Sequence, residues 1–433
     1  MKRIIGEIEV APDKSISHRA LMISAISEGI STIKNFLKAD DCISTMICLK
    51  KLGVDITEKN DEIIVKGNGL KLKEPKEILD AGNSGTTVRL LSGILAGQNF
   101  TTKIIGDESL SKRPMRRIAD PLAKMGAKIK LNNGFLPLQI TGGNLRPIDY
   151  VSKVSSAQVK SCVLFAGLYA DGVTNFNEPE KSRDHTERML KNFGADISVN
   201  ENTASVTGIA ELHSSDVFIP GDISGAAFFM VATLIVKNSE LKIKNVGINP
   251  TRTGIIDILK RMGADIKVEN KKEFGNEPVA DIIVKSAELK STEIKEKEIP
   301  KVIDEIPIIA VAATQAEGTT KITGAKELRV KETDRLKAMA TELKKMGANI
   351  TELEDGLVIK GPTKLKGANI CSYKDHRIAM SLAVASLVAD SNTEISDKDC
   401  VNISFPNFWE ILEKILSVPR KFLEFLSVEV RTG

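Results

Sequence analysis

Polar and charged residues suited to binding anions stand at the starts of several apolar segments of the chain. The apolar segments are predicted to be helices, so these residues would lie at helix N-termini. Unpaired backbone N–H groups and the helix dipole favour negative charge there. If several such helices point at one cleft, the cleft becomes a binding site for small anionic substrates. The residues at these starts are Lys14, Ser15 and Arg19; Asn83, Gly85, Thr86 and Arg89; Ser155, Ser156, Gln158 and Lys160; Asp304; and Asp375, His376 and Arg377.

Each of these starts also has a simpler interpretation. Serine and asparagine are ordinary helix caps, and Lys14 and Arg19 could lie on a solvated edge. Residues 329–347, RVKETDRLKAMATELKKMG, could form an exposed helix with local ion pairs. The segment GNSGTT (82–87) does not have the G-x-x-x-x-G-K-[ST] pattern of a nucleotide-binding loop. The anion-binding prediction therefore depends on the starts acting together.

The apolar segments recur about every 70 residues, which indicates an internally repeated fold. Each segment is apolar on nearly every face, and a helix of this kind must be buried on all sides. The six segments are KSISHRALMISAIS (14–27), NSGTTVRLLSGILAG (83–97), SSAQVKSCVLFAGL (155–168), GDISGAAFFMVATLIV (221–236), DEIPIIAVAATQAEG (304–318) and DHRIAMSLAVASLVAD (375–390).

A second repeated segment is predicted to end an amphipathic helix in five of the six units. In the copy LKKMGANI the two lysines suit the negative end of the helix dipole, and Gly347 is expected to take the left-handed conformation that ends a helix. Strands such as ADISVN (195–200) and KITGA (321–325) are predicted between the helices. In the sixth unit NFWEILEKIL (407–416) replaces this helix and lacks the glycine. The five copies begin at Leu49, Leu122, Leu190, Leu259 and Leu343.

Six α/β units exceed one ordinary core, so we predict two domains of three units each. The boundary is placed near Gly221, because three of the buried helices precede that point. Residues 271–300 contain many lysines and glutamates and are predicted to be a surface insertion.

Composition describes a soluble globular protein of 433 residues, with 42% hydrophobic and 27% charged residues. The net charge of +4 gives no indication of a nucleic-acid or membrane partner. No signal peptide is recognised, and the apolar stretch 225–236 is too short to span a bilayer. Five cysteines without a C-x-x-C pair suggest free thiols in the cytoplasm. The four histidines show no paired metal-ligand spacing, so neither a metal site nor a cofactor is predicted.

Six motifs taken together closely resemble the 5-enolpyruvylshikimate-3-phosphate synthase family, one of the enolpyruvyl transferases. The resemblance runs from about residue 4 to about 416. The motifs are PDKSISHRA (12–20), AGNSGTTVRLLSG (81–93), SKRPM (111–115), SSAQVKS (155–161), LRVKETDRL (328–336) and YKDHRIAM (373–380).

The resemblance implies an α/β fold of two domains, each with three βαβαββ units whose buried parallel helices are surrounded by sheets, an inside-out α/β barrel. It implies a discontinuous first domain, residues 1–14 plus 222–433, a second domain of residues 15–221, and an active site in the cleft between them. It also implies a cytoplasmic monomer of the shikimate pathway, which leads to chorismate and the aromatic amino acids. The tail 417–433 extends past the resemblance and has no functional interpretation.

The implied reaction joins shikimate 3-phosphate to phosphoenolpyruvate and releases phosphate. Both substrates are anions, which explains a site lined with cations in a protein of low net charge. By resemblance, shikimate 3-phosphate would be held by Ser15, Arg19, Ser155, Ser156, Gln158 and Arg183. Phosphoenolpyruvate would lie among Lys14, Gly85, Arg113, Gln158, Arg335 and Arg377, with Asn83 and Lys331 also in contact with substrate.

The chemistry requires a base for the 5-hydroxyl of shikimate 3-phosphate and an acid for the methylene carbon of phosphoenolpyruvate. By resemblance Asp304 corresponds to the base and Glu332 to the acid, while Lys14 and Lys331 could share in proton transfer. The pair of carboxylates is expected to be catalytic, and the division of the two roles stays open.

Gly85 leads to an expectation about the inhibitor glyphosate. In the family a glycine at this position leaves room for glyphosate beside the phosphoenolpyruvate site, so competitive inhibition is expected. The chain nevertheless resembles the branch of the family that tends to tolerate glyphosate, because it contains Ser84 and the longer SAQVKS motif.

Two other functions are alternatives to this synthase. An enolpyruvyl transferase acting on UDP-N-acetylglucosamine would share the six-unit fold, but its typical Lys-Asn pair is replaced here by Lys14-Ser15, and the loop GDESLSKRPM (106–115) has no cysteine. A non-enzymatic repeat clamp on nucleic acid would need basic residues along its inner helices. The inner helices predicted here are apolar, with charges at their starts.

Overall fold

A βαβαββ pattern recurs through the computed structural model, which describes residues 3–416. The tail 417–433 lies outside the described residues. The strands are β1 (Ile5–Glu9), β2 (Glu28–Lys34), β3 (Asp55–Lys59), β4 (Glu62–Asn68), β5 (Leu79–Asp80), β6 (Thr101–Ile105), β7 (Lys128–Asn132), β8 (Phe135–Thr141), β9 (Asp149–Val151), β10 (Val173–Asn177), β11 (Ile197–Asn200), β12 (Thr203–Thr207), β13 (Val217–Phe218), β14 (Glu240–Gly247), β15 (Asp265–Phe274), β16 (Glu277–Lys285), β17 (Glu293–Ile294), β18 (Gly318–Ile322), β19 (Asn349–Leu353), β20 (Gly356–Gly361), β21 (Asn369–Cys371) and β22 (Glu394–Ser396).

The α-helices lie between groups of one to three strands along the chain, and short 3-10 helices lie at Glu296–Glu298, Lys326–Val330 and Lys398–Ile403. The α-helices are α1 (Lys14–Ala25), α2 (Asp40–Lys51), α3 (Gly85–Ala96), α4 (Glu108–Ser111), α5 (Arg116–Met125), α6 (Ala157–Gly167), α7 (His185–Asn192), α8 (Ile223–Ile235), α9 (Gly254–Arg261), α10 (Ile299–Val302), α11 (Ile306–Gln315), α12 (Arg335–Lys345), α13 (His376–Ser386) and α14 (Phe408–Ile415). Among the residues described, no helix combines the length and apolar character that crossing a membrane requires.

The described residues divide into two compact units. The first unit contains residues 3–11, 221–272 and 278–416, and the second contains residues 12–220 and 273–277.

In the described part of the chain, residues 3–416, five sheets have four strands in the same arrangement. Two parallel strands lie side by side, an antiparallel strand follows, and the remaining strand is at the edge. Parallel neighbours need a crossover connection, which a buried helix supplies in β5–α3–β6 and β9–α6–β10. The sheet orders are β13-β2-β4-β3, β5-β6-β8-β7 and β9-β10-β12-β11 in the second unit, and β1-β14-β16-β15 and β17-β18-β20-β19 in the first.

Among the strands that the structure describes, the sixth sheet has only the two parallel strands β21 and β22. In the sheets of β2 and β14 the first strand comes from a distant part of the chain: β13 pairs with β2, and β1 pairs with β14. These pairings confirm the predicted βαβαββ unit.

The six apolar segments all form helices, as predicted. They correspond to α1, α3, α6, α8, α11 and α13, and every residue of α8 from Ile223 to Leu234 is buried. In the first unit α8, α11 and α13 contact one another, and in the second α3 contacts both α1 and α6. Each unit therefore has its own core of buried helices.

The repeated octamer ends its helix as predicted. The backbone φ of its glycine is +83° at Gly53, +113° at Gly126, +89° at Gly194, +92° at Gly263 and +86° at Gly347. Residues other than glycine rarely adopt these angles, which explains why the glycine recurs in every copy. In the sixth βαβαββ repeat the corresponding helix is α14, which ends without a glycine, as predicted.

The prediction of a surface insertion over residues 271–300 was wrong. Part of this stretch is β16, in which Val279, Ala280, Ile282 and Val284 are at most 1% exposed. The charged composition came mainly from its flanks, the end of β15 and residues 288–298. Averaging over buried and exposed segments hid the buried strand.

Candidate active site

The guanidinium of Arg335 is the centre of a charged cluster in the first unit. Arg335 is the first residue of α12, which is capped by Asp334, and its side chain is 1% exposed. Its Nη1 donates to Asp304 Oδ1 at 3.2 Å and its Nη2 to Glu332 Oε2 at 2.6 Å. The two carboxylates predicted to be catalytic therefore meet on one guanidinium.

Asp304 precedes α11 and has further cations near it. Arg377 Nη2 lies 3.5 Å from Asp304 Oδ2, and Lys331 Nζ lies 3.9 Å from Asp304 Oδ1. The side chain of Asp304 is 13% exposed and that of Lys331 is 29% exposed. The structure thus brings together Asp304, Glu332, Lys331, Arg335 and Arg377, all of them residues singled out from the sequence.

Asp375 completes the cluster. This fully buried carboxylate accepts from Arg335 Nε at 2.8 Å and from Nη2 at 3.3 Å, and it caps α13 by accepting the Arg377 N–H at 2.9 Å. Sequence reasoning placed Asp375 at a helix start but not among the site residues. Its signal was the DHR motif, which puts an acidic cap directly before a site arginine.

The charges of this cluster balance, because three carboxylates face the cations of Lys331, Arg335 and Arg377. Burial by itself would lower the pKa of Arg335, but the carboxylates of Asp375, Glu332 and Asp304 raise it overall. Arg335 is therefore a permanent cation that presents a planar fork of donors, a geometry suited to carboxylate and phosphate.

Buried polar contacts support the start of α11 behind Asp304. Arg252 Nη2 donates to Asp222 Oδ1 and to Ser224 Oγ, both at 2.8 Å, and the Ser224 hydroxyl donates to the buried Glu305. Asp222 caps α8, so these contacts fix the starts of α8 and α11 together. Only the acidic residues at both helix starts could have indicated this arrangement from the sequence.

In the second unit, Lys14 begins α1 and forms an ion pair with Asp41. Lys14 Nζ lies 2.9 Å from Asp41 Oδ2, and both side chains are largely buried, at 15% and 8% exposure. Asp41 was missed by sequence reasoning, because acidic residues in the first turn of α2 are ordinary for a helix N-terminus.

Arg19 lies one turn further along α1 and is nearly fully buried. Its Nε donates to Thr186 Oγ1 at 2.7 Å, its Nη2 to Ser161 Oγ at 2.8 Å and its Nη1 to the Ser15 carbonyl at 2.9 Å. Burial lowers the pKa of Arg19 to about 10. Arg183 Nη1 lies 3.4 Å from Ser15 Oγ, so Ser15, Arg19 and Arg183 form one group.

Gln158 connects the starts of α3 and α6. Its Oε1 accepts from Arg89 Nη1 at 2.5 Å, and its Nε2 donates to Thr86 Oγ1 at 3.0 Å. Ser156 caps α6, and the neighbouring Ser155 hydroxyl accepts the Glu180 N–H at 2.9 Å. The predicted residues of this helix start therefore lie together, with Arg89 as an added support.

Gly85 and Arg113 are close neighbours. A Cβ atom at Gly85 would lie 2.9 Å from Arg113 Nη1 and 3.5 Å from Arg89 Nη1. The neighbouring Asn83 side chain donates to Asp107 Oδ2 at 2.7 Å. Asn83, Gly85 and Arg113 therefore meet at the start of α3.

Lys160, a further cation near the start of α6, forms buried ion pairs and does not line the anion-binding group. Its Nζ lies 2.7 Å from Glu178 Oε1 and 2.8 Å from Glu187 Oε1, and the side chain is 2% exposed. Burial opposes its charge, while Glu187 and Glu178 raise its pKa overall. Lys160 is therefore part of the buried ion pairs behind Arg19. Among residues 3–416, no group of three or more His, Cys, Asp or Glu side chains could hold a metal ion.

Comparison with known proteins identifies the family. A model of the family described as EPSP synthase (3-phosphoshikimate 1-carboxyvinyltransferase) matches residues 1–412. This chain belongs to the EPSP synthase family. The 3-phosphoshikimate 1-carboxyvinyltransferase of Endomicrobium trichonymphae is 54% identical over 418 residues, which cover 95% of this chain and 97% of that relative. The enzyme of the same name from Petrotoga mobilis is 54% identical over 424 residues, 96% of this chain and 98% of the relative.

A solved structure of an EPSP synthase has the same fold as this chain. EPSP synthase from Acinetobacter baumannii superposes with a TM-score of 0.85 at 46% identity, over 96% of each chain. Membership of the EPSP synthase family confirms the predicted fold and the prediction that the chain is a transferase. These matches favour neither the UDP-N-acetylglucosamine enzyme nor the repeat clamp.

Proposed function

We propose that this chain transfers the carboxyvinyl group of phosphoenolpyruvate to the 5-hydroxyl of shikimate 3-phosphate and releases phosphate. The observation that carries the proposal is the Asp304 carboxylate beside Arg335, Arg377 and Lys331, at 3.2, 3.5 and 3.9 Å, in a chain of the EPSP synthase family. A carboxylate that can act as a base stands here among cations that can bind an anionic substrate.

Arg335 and Arg377 are assigned to the anionic groups of phosphoenolpyruvate. An arriving carboxylate or phosphate competes with Asp304 and Glu332 for the Nη hydrogens of Arg335. Binding therefore releases both carboxylates from Arg335 at the moment when they are needed for proton transfer. Asp375 keeps hold of Nε, so the guanidinium stays oriented.

The proposed reaction is an addition followed by an elimination. Asp304 removes the proton of the 5-hydroxyl, whose oxygen forms a bond to the central carbon of phosphoenolpyruvate while Glu332 protonates the methylene carbon. A proton then leaves the new methyl group, the bond from the central carbon to the phosphate oxygen breaks, and the vinyl double bond forms again. Lys14 and Lys331 supply positive charge and can share the proton transfers.

In the second unit, the proposal assigns shikimate 3-phosphate to a group built on α1 and α6. The guanidiniums of Arg19 and Arg183, with the Ser15 hydroxyl, suit a dianionic phosphate. The remaining members of the group are Ser155, Ser156 and Gln158. Phosphoenolpyruvate contacts in this unit are assigned to Lys14, Asn83, Gly85, Arg113 and Gln158.

The proposal includes a monomer that works in the cytoplasm without a metal or a cofactor. Within residues 3–416 no disulfide joins Cys42, Cys48, Cys162, Cys371 or Cys400, which is consistent with a reducing compartment. Sedimentation velocity at micromolar concentration tests the monomer, and a 94-kDa species would contradict it.

The experiment measures phosphate release from phosphoenolpyruvate in EDTA, with shikimate 3-phosphate or UDP-N-acetylglucosamine as acceptor. Wild type, Asp304→Ala and the control Asp61→Ala are compared, because the Asp61 side chain is 92% exposed. Release with the shikimate acceptor alone, lost in Asp304→Ala and kept in Asp61→Ala, supports the proposal. Release with the sugar nucleotide alone, or equal rates in Asp304→Ala and wild type, contradicts it.

A further inference from the structure

The turn from Cys371 to Asp375 leads into α13 through two consecutive left-handed residues. The backbone φ is +55° at Tyr373 and +57° at Lys374. Neither residue is a glycine, and this conformation is unfavourable for other residues. It persists only where the surrounding structure fixes it, and such conformations cluster at functional sites. Tyr373 and Lys374 therefore need contacts from neighbouring elements that hold them in this conformation.

Glu342 on α12 supplies these contacts. Tyr373 Oη donates to Glu342 Oε1 at 2.6 Å, and the Cys371 N–H donates to Glu342 Oε2 at 3.0 Å. The Glu342 side chain is fully buried, and its charge is balanced by Lys345 Nζ at 2.8 Å. A carboxylate completely removed from water is costly unless its oxygens accept hydrogen bonds, so these contacts are strong.

The same helix holds the other end of the turn. Arg335 precedes Glu342 by seven residues, about two helical turns, so both side chains lie on one face of α12. Arg335 binds Asp375 at the end of the turn, while Glu342 binds Cys371 and Tyr373 at its beginning. The position of Asp375 is thus set from both ends. Asp375 in turn orients the Arg335 guanidinium and caps the helix that carries Arg377.

We propose that Glu342 and Tyr373 are positioning residues for the anion-binding arginines. By holding the strained turn, they place Asp375 so that it orients Arg335 and fixes the start of α13 at Arg377. This inference rests on the proposed function, which assigns phosphoenolpyruvate to these two arginines. Shikimate 3-phosphate is assigned to other side chains, so the effect is specific to one substrate.

The test compares Tyr373→Phe, which removes one hydroxyl, with Tyr150→Phe, a matched change in the second unit. Glu342→Gln is a second variant, and Lys344→Met is a control that changes an exposed lysine of the same helix and leaves the contacts of Glu342 with Cys371, Tyr373 and Lys345 in place. Tyr373→Phe and Glu342→Gln are expected to raise the KM for phosphoenolpyruvate about tenfold, the size of a lost hydrogen bond to a charged group. The KM for shikimate 3-phosphate and kcat are expected to stay within about twofold, as in both controls.

Equal KM values for phosphoenolpyruvate in Tyr373→Phe and Tyr150→Phe would overturn the inference. A lower melting temperature with unchanged KM values would show a purely structural role and would also overturn it. A second measurement does not depend on catalysis. NMR of protein with labelled arginine measures the rate at which the Arg335 Nε–H exchanges with solvent. Faster exchange in Tyr373→Phe than in Tyr150→Phe supports the inference, and equal rates refute it. If wild type releases no phosphate, the proposed function fails, while this exchange rate still decides the positioning role.

Discussion

Arg335 and Asp375 form a two-point ion pair in which neither side chain is more than 1% exposed. Nε and Nη2 of the arginine lie 2.8 and 3.3 Å from the two oxygens of the aspartate. A surface ion pair stabilises a protein little, but breaking a buried one leaves an uncompensated charge in the interior. The pair therefore has consequences for stability as well as for substrate binding.

Arg335→Met is expected to lower the free energy of unfolding by about 3–5 kcal/mol, because it leaves the Asp375 carboxylate buried without its partner. Arg261→Met is the control, since the Arg261 ion pair with Glu298 is on the surface and its loss should cost about 1 kcal/mol or less. Urea denaturation measures both. Equal losses in the two variants would contradict this account of the buried pair.

Gly85→Ala is expected to weaken the binding of glyphosate more than the binding of phosphoenolpyruvate. Wild type should be inhibited competitively with phosphoenolpyruvate, and the added methyl group would lie 2.9 Å from Arg113 Nη1. The methyl group would fill the space that Gly85 is expected to leave for glyphosate, so the larger effect is expected on the inhibitor. Steady-state kinetics should show a glyphosate inhibition constant raised roughly tenfold, about 1.4 kcal/mol, with a smaller rise in the KM. An inhibition constant far above the KM already in wild type would show that Gly85 is not decisive.

His18→Asn is expected to flatten the dependence of stability on pH in acid. Burial, with smaller contributions from Lys14 and Arg19, lowers the pKa of His18 well below 6.5. The unfolded chain therefore binds a proton near pH 6.5 that the folded chain does not bind. Stability from this group is complete above pH 6.5 and is lost as the pH falls below it, by up to about 1.4 kcal/mol per pH unit.

Urea denaturation between pH 7 and pH 5 measures this slope in wild type, His18→Asn and the control His213→Asn, whose histidine is exposed. The wild type and His213→Asn should show the same slope. A His18→Asn variant that loses stability in acid as steeply as wild type would rule out the buried neutral imidazole.

Asp304→Asn and Glu332→Gln are each expected to reduce kcat by about 10²–10⁴, the usual range for loss of a general acid or base. Glu332→Gln should in addition slow the entry of solvent deuterium into the methylene group of phosphoenolpyruvate, because Glu332 is the proposed donor to that carbon. Glu354→Gln, an exposed control, should match wild type. Proton NMR measures the deuterium entry. A normal rate in Glu332→Gln would show that another group protonates the methylene carbon.

Local rules were sufficient to predict the repeat from the sequence. Buried helices follow from all-apolar segments, and Gly347 and its equivalents follow from the conformation that ends a helix. The hydrophobic pattern did not reveal β16, because its buried residues were averaged with charged neighbours on both sides.

The partners of the site residues could not be predicted from the sequence. Lys14 pairs with Asp41, 27 residues away, and Arg19 donates to Thr186, 167 residues away. Packing brings together helices from different βαβαββ repeats, and this packing determines which side chains pair. No local sequence pattern encodes such pairs. The motif resemblance supplied the identities of Asp304 and Glu332, while their meeting on Arg335 is visible in the structure alone.

The most direct test of the central claim is identification of the product by ¹³C and ³¹P NMR. The enzyme is given phosphoenolpyruvate labelled at all three carbons, together with unlabelled shikimate 3-phosphate. One labelled carboxyvinyl ether on the shikimate ring is expected for each inorganic phosphate released, with the vinyl group intact. Labelled pyruvate with phosphate, and no ether, would show that the enzyme hydrolyses phosphoenolpyruvate and does not transfer its carboxyvinyl group.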